Sequence, residues 1–201
     1  MPDRVHDNMA GAVAALDYDA ELMLRVKDGD SASFAVLLQK HRSPVVHFLY
    51  RMVQNQAVAE ELAQEVFLRV YRSRSSYEPA AKFTTWLFRI ATHLALNAIR
   101  DGKHERSQSR LDDENSVVSA AQVTDGRPSA EQDLVHRARM DEIRRAVALL
   151  PDKQRAAVLM HKYHEMEYTQ IAKALNCSES AVKSLLFRAY ESLRARLAHM
   201  A

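Results

Sequence analysis

The sequence predicts an all-α protein: two small helical domains joined by a flexible acidic linker, the C-terminal one a helix-turn-helix domain of four helices. Three observations predict it. The 201 residues include only four glycines and five prolines, too few turn formers for an all-β chain. Apolar residues recur every three or four positions through two long stretches. Between those stretches, from Gly102 to Ser129, there is no aromatic residue and no apolar stripe, and Ser, Asp, Gln and Arg dominate. That is the composition of a linker. The implied organisation is a tail over 1–16, a first domain over 17–101, a linker over 102–130 and a second domain over 131–201.

Composition excludes several classes. Apolar residues make up 47% and charged residues 27%, which rules out wholesale disorder. No run of about 18 apolar residues is present, so no membrane span is expected. The Ala-rich run from Met9 to Leu16 follows Asp3, Arg4 and Asp7 rather than the basic start of a secretory signal, and reads as a frayed tail. Cys177 is the single cysteine. It excludes an internal disulfide and a multi-cysteine zinc site, and fits a reducing, cytoplasmic compartment.

The net charge of +2 conceals a pattern. Residues 1–20 carry one base and four acids; 61–100 carry six bases and three acids; 101–135 carry four and eight; 136–201 carry twelve and seven. Two basic blocks therefore flank an acidic middle. A polyanion partner and a merely solvated surface are both compatible with such blocks.

In the first domain, Asp17 to Val26 reads as a short helix ending at Gly29. Ser31 or Ser33 is expected to cap a second helix through Phe34, Leu37 and Leu38. Pro44 predicts a break or a new first turn, after which Val45, Phe48, Leu49 and Met52 continue the helical spacing. A further helix spans about Val58 to Tyr71. At about 100° per residue, Val58, Leu62, Val66 and Val70 fall on its core side. Glu60, Glu61, Gln64, Leu68 and Tyr71 fall opposite, where Leu68 is either an isolated surface residue or the centre of a partner patch. The helix from Phe83 to Arg100 sets Phe83, Trp86, Leu87, Ile90, Leu94 and Ala98 against Lys82, Thr85, Arg89, Thr92, His93, Leu96 and Arg100. Three fixed cations and no acid lie on that second face. Cations beside aromatic rings suit unstacked bases, the cations holding phosphates and the rings stacking; the alternative is that the rings are core residues.

In the second domain, helices are expected over Glu131 to Leu150, Asp152 to Tyr163 and Glu167 to Leu175. Asn176-Cys177-Ser178 forms a turn, and Ser178 caps a fourth helix to about Ala198. A short helix, a tight turn and a longer amphipathic helix is the helix-turn-helix pattern. Val182, Leu186, Ala189, Leu193 and Leu197 form the core side of the last helix. Ser180, Ser184, Phe187, Arg188 and Glu191 lie opposite, with Lys183 flanking. Arg pairs with a guanine edge, Ser with several bases and Phe with a thymine methyl, so this face suits the DNA major groove. The alternative is a plain helical pair with a surface Phe.

His161 and His164 beside Glu165 do not amount to a zinc site, and no metal or cofactor is expected. No phosphate loop, nucleophile elbow or carboxylate cluster appears, so no catalytic residue is assigned and no enzymatic activity is expected.

These residues resemble a known family. The stretch AEELAQEVFLRVY from Ala59 to Tyr71, then FTTWLFRIA from Phe83 to Ala91, then Leu149-Leu150-Pro151, YTQIA from Tyr168 to Ala172 and SAVKSLLFRA from Ser180 to Ala189 are similar to bacterial RNA polymerase sigma factors of the short extracytoplasmic-function type. With its helical context the resemblance covers about residues 17–100 and 131–198. It implies that the helix matching Ala59–Tyr71 docks on the clamp helices of the largest subunit of core RNA polymerase, with Glu61, Gln64, Glu65 and Leu68 in contact. It implies that the loop Ser73–Lys82 and the following helix capture the melted minus-ten promoter element, through Tyr77, Lys82, Thr85, Trp86, Arg89, Thr92, His93 and Arg100. It implies that Ser180, Lys183, Ser184, Phe187 and Arg188 read the duplex minus-thirty-five element, and that the linker threads near the polymerase cleft. An anti-sigma factor is the implied inhibitor, the protein being a monomer when free or 1:1 with that inhibitor. The chain departs from the pattern at His93, often Asn, at Glu167, usually a Ser or Thr cap, and at Tyr190, frequently a base. A free-standing regulator and a helical adaptor are the competing readings.

Overall fold

The computed structural model describes residues 17–109 and 130–200. The expected tail over 1–16 and positions 110–129 of the expected linker lie outside them. The described residues form eight α-helices: α1 Tyr18–Lys27, α2 Ser31–Val53, α3 Gln56–Arg72, α4 Phe83–Ser109, α5 Ala130–Ala148, α6 Asp152–Tyr163, α7 Tyr168–Leu175 and α8 Glu179–Leu197. There is no strand among the described residues.

Local chemistry accounts for most boundaries. Asp17 caps α1, accepting from the Ala20 N–H at 2.7 Å. Asp30, rather than Ser31 or Ser33, caps α2, because its carboxylate accepts from both Ala32 and Ser33 N–H. Asn55 caps α3 and Ser178 caps α8. Asn176 ends α7 in the left-handed region at φ 50°, which an Asn tolerates better than most residues. Glu167 stands at the α7 cap, and its N–H donates to Gln170 Oε1 at 2.8 Å, half of a capping box.

Three further expectations need correction. Pro44 does not break α2, which runs unbroken from Ser31 to Val53. Leu37, His41, Val45, Phe48, Leu49 and Met52 are all buried on one side of it, and that continuous burial offsets the lost hydrogen bond. The buried seam of α3 is Ala59, Ala63, Val66, Phe67 and Val70; Val58 and Leu62 are only half-buried. Ala59 and Ala63 belong to that seam, which a count of large apolar residues overlooks. Helix α4 extends to Ser109, so positions 102–109, placed in the linker from composition, are helical.

The two halves share one continuous core, from Met23, Leu37 and Phe48 through Phe88 to Leu159 and Ile171. Helices α1–α4 pack together, α6–α8 pack together, α7 lies against α4, and α6 against α2. A buried carboxylate, Asp19, ties α1 to α2. The Asp19 carboxylate lies 2.7 Å from Lys40 Nζ and 2.9 Å from His41 Nε2. Burial holds the His41 pKa below its ordinary value despite Asp19, so the neutral ring donates to the carboxylate.

Candidate nucleic-acid interface

The outer face of α8 is as the spacing predicts. Val182, Leu186 and Ala189 are buried and Leu193 and Leu197 half-buried, while Ser180, Lys183, Ser184, Phe187, Arg188 and Glu191 are exposed. Phe187 is 67% exposed. Lys183, Ser184, Phe187 and Arg188 line a shallow concavity. Their polar atoms are held locally: Ser184 Oγ donates to the Ser180 carbonyl at 3.1 Å, Arg188 Nε to the Ser184 carbonyl at 3.2 Å, and Lys183 Nζ lies 3.5 Å from Glu179. Exposed contacts of this kind are weak, about 0.2–0.5 kcal/mol, and exchange readily for an external acceptor. The face thus offers two cations, a hydroxyl and an unburied ring, with the aliphatic side of α8 locked in the core.

Helix α4 divides the residues assigned to minus-ten capture. Lys82, Arg89, His93 and Arg100 are exposed and fall within about 20° of one line along the helix, about 27 Å long. Tyr77, Thr85 and Thr92 are buried at 3%, 2% and 1% exposure, and Trp86 is half-buried. The expectation that Thr85 and Thr92 lie on an open face is therefore not met in this conformation. The physical reason is a second buried stripe, Thr85, Phe88, Thr92 and Ala95, beside the first stripe of Phe83, Leu87, Ala91 and Leu94. Phe88 of the second stripe meets His164, with ring centroids 4.0 Å apart, and α7 packs on α4. The C-terminal half thus covers one flank of the candidate face. The hydroxyls of Thr85 and Thr92 have no hydrogen-bond partner there.

Before α4, the loop turns through a short 3₁₀ segment, Arg74–Ser76. Tyr77 packs on Trp86 at 4.9 Å between centroids, and Phe83 on Trp86 at 5.9 Å. Burial, with Asp17 and Asp19 nearby, pushes the Tyr77 phenol up to about 12. Glu78, Pro79, Ala80 and Lys82 stay exposed.

On α3, Glu61, Gln64 and Leu68 are exposed, and Glu65 is half-buried and paired with Arg69 at 2.7 Å. Leu68 is not isolated: exposed Tyr71 lies a turn on, its ring tilted against Phe34 at 5.0 Å between centroids, with the Arg74 guanidinium 4.2 Å from its ring. A groove lined by Leu38, Arg42, Val46, His47 and Glu60 runs between α2 and α3. Residues of that groove escape a helix-by-helix reading because their nearness arises only when α2 and α3 pack.

Also invisible to periodicity is the contact set that joins the halves. Arg155 is buried, and its pKa is pushed down by burial and supported by Asp152. Arg51 stacks on the Tyr163 ring at 4.0 Å. His164 packs against both Phe48 and Phe88, and burial plus the Arg51 charge push its pKa down to about 4. His161 and His164 are engaged in packing, and no group of three or more His, Cys, Asp or Glu able to hold a metal occurs among the described residues. No described helix is long and apolar enough to cross a membrane.

The family models for sigma-70 region 2 and sigma-70 region 4 match residues 37–105 and 140–193. The chain is 35% identical over 178 residues to the RNA polymerase sigma factor CarQ of Myxococcus xanthus, covering 89% of this chain and 97% of that one. It is 30% identical over 174 residues to the ECF RNA polymerase sigma factor SigW of Bacillus subtilis, covering 86% and 93%. The fold matches that of CnrH, solved with the cytosolic domain of CnrY, at TM-score 0.65 and 17% identity over 91% of this chain and 99% of that one. It also matches the sigma factor RpoE of Bartonella quintana, solved with the anti-sigma factor NepR, at TM-score 0.62 and 19% identity over 82% and 96%. Matched region by region and in order to these relatives, the chain belongs to the extracytoplasmic-function branch of the sigma-70 family, the factors that direct RNA polymerase to initiate at particular promoters.

Proposed function

We propose that this sigma factor reads its promoters at two places, the duplex minus-thirty-five element through α8 and the melted minus-ten element through α4 and the loop before it. The single observation that carries the reading is the exposed set Lys183, Ser184, Phe187 and Arg188 on an otherwise well-anchored helix. Arg188 suits a guanine edge and Phe187 a thymine methyl. Lys82, Arg89 and Arg100 supply cations for the backbone of a single strand, with His93 exposed on the same line, while half-buried Trp86, backed by the buried Tyr77 and Phe83 rings, offers a ring beside it. Unstacking a base costs a few kcal/mol, which these contacts repay, so binding is strongly salt-dependent. The protein catalyses no reaction; its contribution is placement. In this reading Glu61, Gln64, Glu65 and Leu68 dock on the clamp helices of core polymerase, and α7 moves off α4 when the melted strand engages. An anti-sigma factor is a further partner, on the analogy of the complexes in which CnrH and RpoE were solved.

A pull-down with bacterial core RNA polymerase tests the reading, comparing wild type with Gln64→Ala, Leu68→Ala. Retention by wild type and loss by the double variant is the expected result. No retention at low salt, without an inhibitor, overturns it in favour of a free-standing regulator that binds duplex DNA through α8 alone.

A further inference from the structure

Helix α1 touches the loop before α4 at both ends. The Lys27 ammonium donates to the Tyr77 carbonyl at 3.0 Å, fifty residues away in the chain. Asp17 uses one carboxylate oxygen to cap α1 and the other to accept from the Phe83 N–H, the first of α4, at 3.1 Å. The two anchors bracket residues 78–82. Within that span Glu78, Pro79, Ala80 and Lys82 are exposed, and the Ala80 N–H closes on the Glu78 carbonyl at 2.8 Å. The span's own residues therefore make a tight turn whose two ends are set from outside it. Helix α1 is itself held on α2 by the Asp19–Lys40–His41 contacts, so the anchors stand on a rigid support. Both anchors are charge-assisted, roughly twice as strong as neutral hydrogen bonds. Beneath them the Tyr77 ring is wedged against Trp86 and Phe83, its hydroxyl buried without a hydrogen-bond partner. A phenol oxygen left unpaired costs free energy; the ring's packing on Phe83 and Trp86 offsets it, and the Lys27 contact fixes where the backbone carbonyl sits.

We infer that Lys27 and Asp17 are positioning residues for base selection: α1 sets the separation and orientation of the two ends of the 78–82 turn, and hence which unstacked base fits against it. This rests on the reading of that loop as the element facing the melted minus-ten strand. Neither residue touches the nucleic acid. Their effect reaches it through the shape of the turn, because a displacement of about 1 Å at a fitted site is enough to change selectivity.

The experiment is run-off transcription by the full-length protein with core RNA polymerase, on a template library randomised at both promoter elements, with the transcripts sequenced. Wild type, Lys27→Met, Lys27→Arg and Asp17→Asn are compared. Lys27 is solvent-exposed, so its replacement leaves the fold intact, which a melting curve checks; Asp17→Asn keeps the shape of the cap. In Lys27→Met and Asp17→Asn, the enrichment of the preferred base over the others at the minus-ten element is expected to fall at least fivefold. The minus-thirty-five preference and the retention of polymerase stay unchanged, and Lys27→Arg restores selectivity. Minus-ten enrichment equal to wild type in Lys27→Met overturns the inference. So does a uniform loss across all templates that follows a lowered melting temperature, the signature of a merely structural role. A wild-type protein that retains polymerase yet shows no minus-ten base preference overturns the base-capture reading itself, a result separate from either of these.

Discussion

The Arg155 guanidinium donates from Nη1 to the Met52 carbonyl at 2.7 Å, joining α6 to the end of α2 across 103 residues of chain. Met52 lies in the last turn of α2, where helix carbonyls have no intrahelical partner and the helix dipole is negative. Asp152 holds the other arm of the guanidinium at 2.7 Å and pairs also with Lys103 at 2.8 Å. One side chain thus caps a helix of the N-terminal half from the C-terminal half.

Replacing Arg155 by Ala leaves that carbonyl buried and unpaired, at a cost of about 1–3 kcal/mol to the packed arrangement. Energy transfer between dyes on α1 and α8 is expected to report a larger separation in Arg155→Ala than in wild type. An unchanged distance means that Arg155 is not what holds the halves together.

His164 makes the same boundary sensitive to acid. Its pKa is about 4 when packed and returns toward 6.5 when the halves part, so the parted form takes up a proton first. The packed form is therefore favoured in full above about pH 6.5 and loses stability as the pH falls toward 4, by on the order of 3 kcal/mol in all. The groups facing the ring are Phe48 and Phe88, with the Arg51 charge nearby, and none of them supplies a compensating anion. Small-angle scattering between pH 7.5 and 5 is expected to show expansion in wild type and not in His164→Phe. The same expansion in both proteins sinks the assignment to His164.

On α8, Arg188→Ala removes a cation that makes no contact with the core, so folding is untouched. Transcription from a promoter selected by wild type is expected to drop by the equivalent of about 1–3 kcal/mol, roughly 5- to 150-fold. Retention of polymerase stays at the wild-type level. Equal loss in both assays would place Arg188 outside promoter reading.

Phe48 is fully buried and touches both Phe88 and His164. Phe48→Ala opens a cavity where the two halves meet and is expected to cost about 3–5 kcal/mol in urea unfolding. A loss below about 1 kcal/mol would mean that the site collapses around the gap, or that the shared core contributes little.

Most helices were legible from residue spacing because amphipathic period and capping chemistry are local. Asp17 and Ser178 sit where their side chains satisfy helix ends, Asn176 ends α7 by taking the left-handed conformation, and Val182, Leu186 and Ala189 turn inward because a 3.6-residue period leaves them on one side. The exposed ring of Phe187 followed from the same geometry. Where the reading failed, a neighbour distant in sequence had intervened. Pro44 stays helical because α2 is buried continuously across it, and α3 buries its alanines in place of Val58 and Leu62.

The sharpest divergence lies on α4. Sequence period separates an apolar side from a basic one, and Lys82, Arg89, His93 and Arg100 obey it. Thr85 and Thr92 do not, because they lie in the second buried stripe with Phe88 and Ala95, and a threonine carries no mark in sequence of which neighbour will cover it. The roles of Arg155 and His164 are hidden for the same reason. A cation and an imidazole are ordinary surface residues until folding brings the end of one helix or a pair of phenyl rings against them, and the meaning of a long-range contact resides in the partner as much as in the residue.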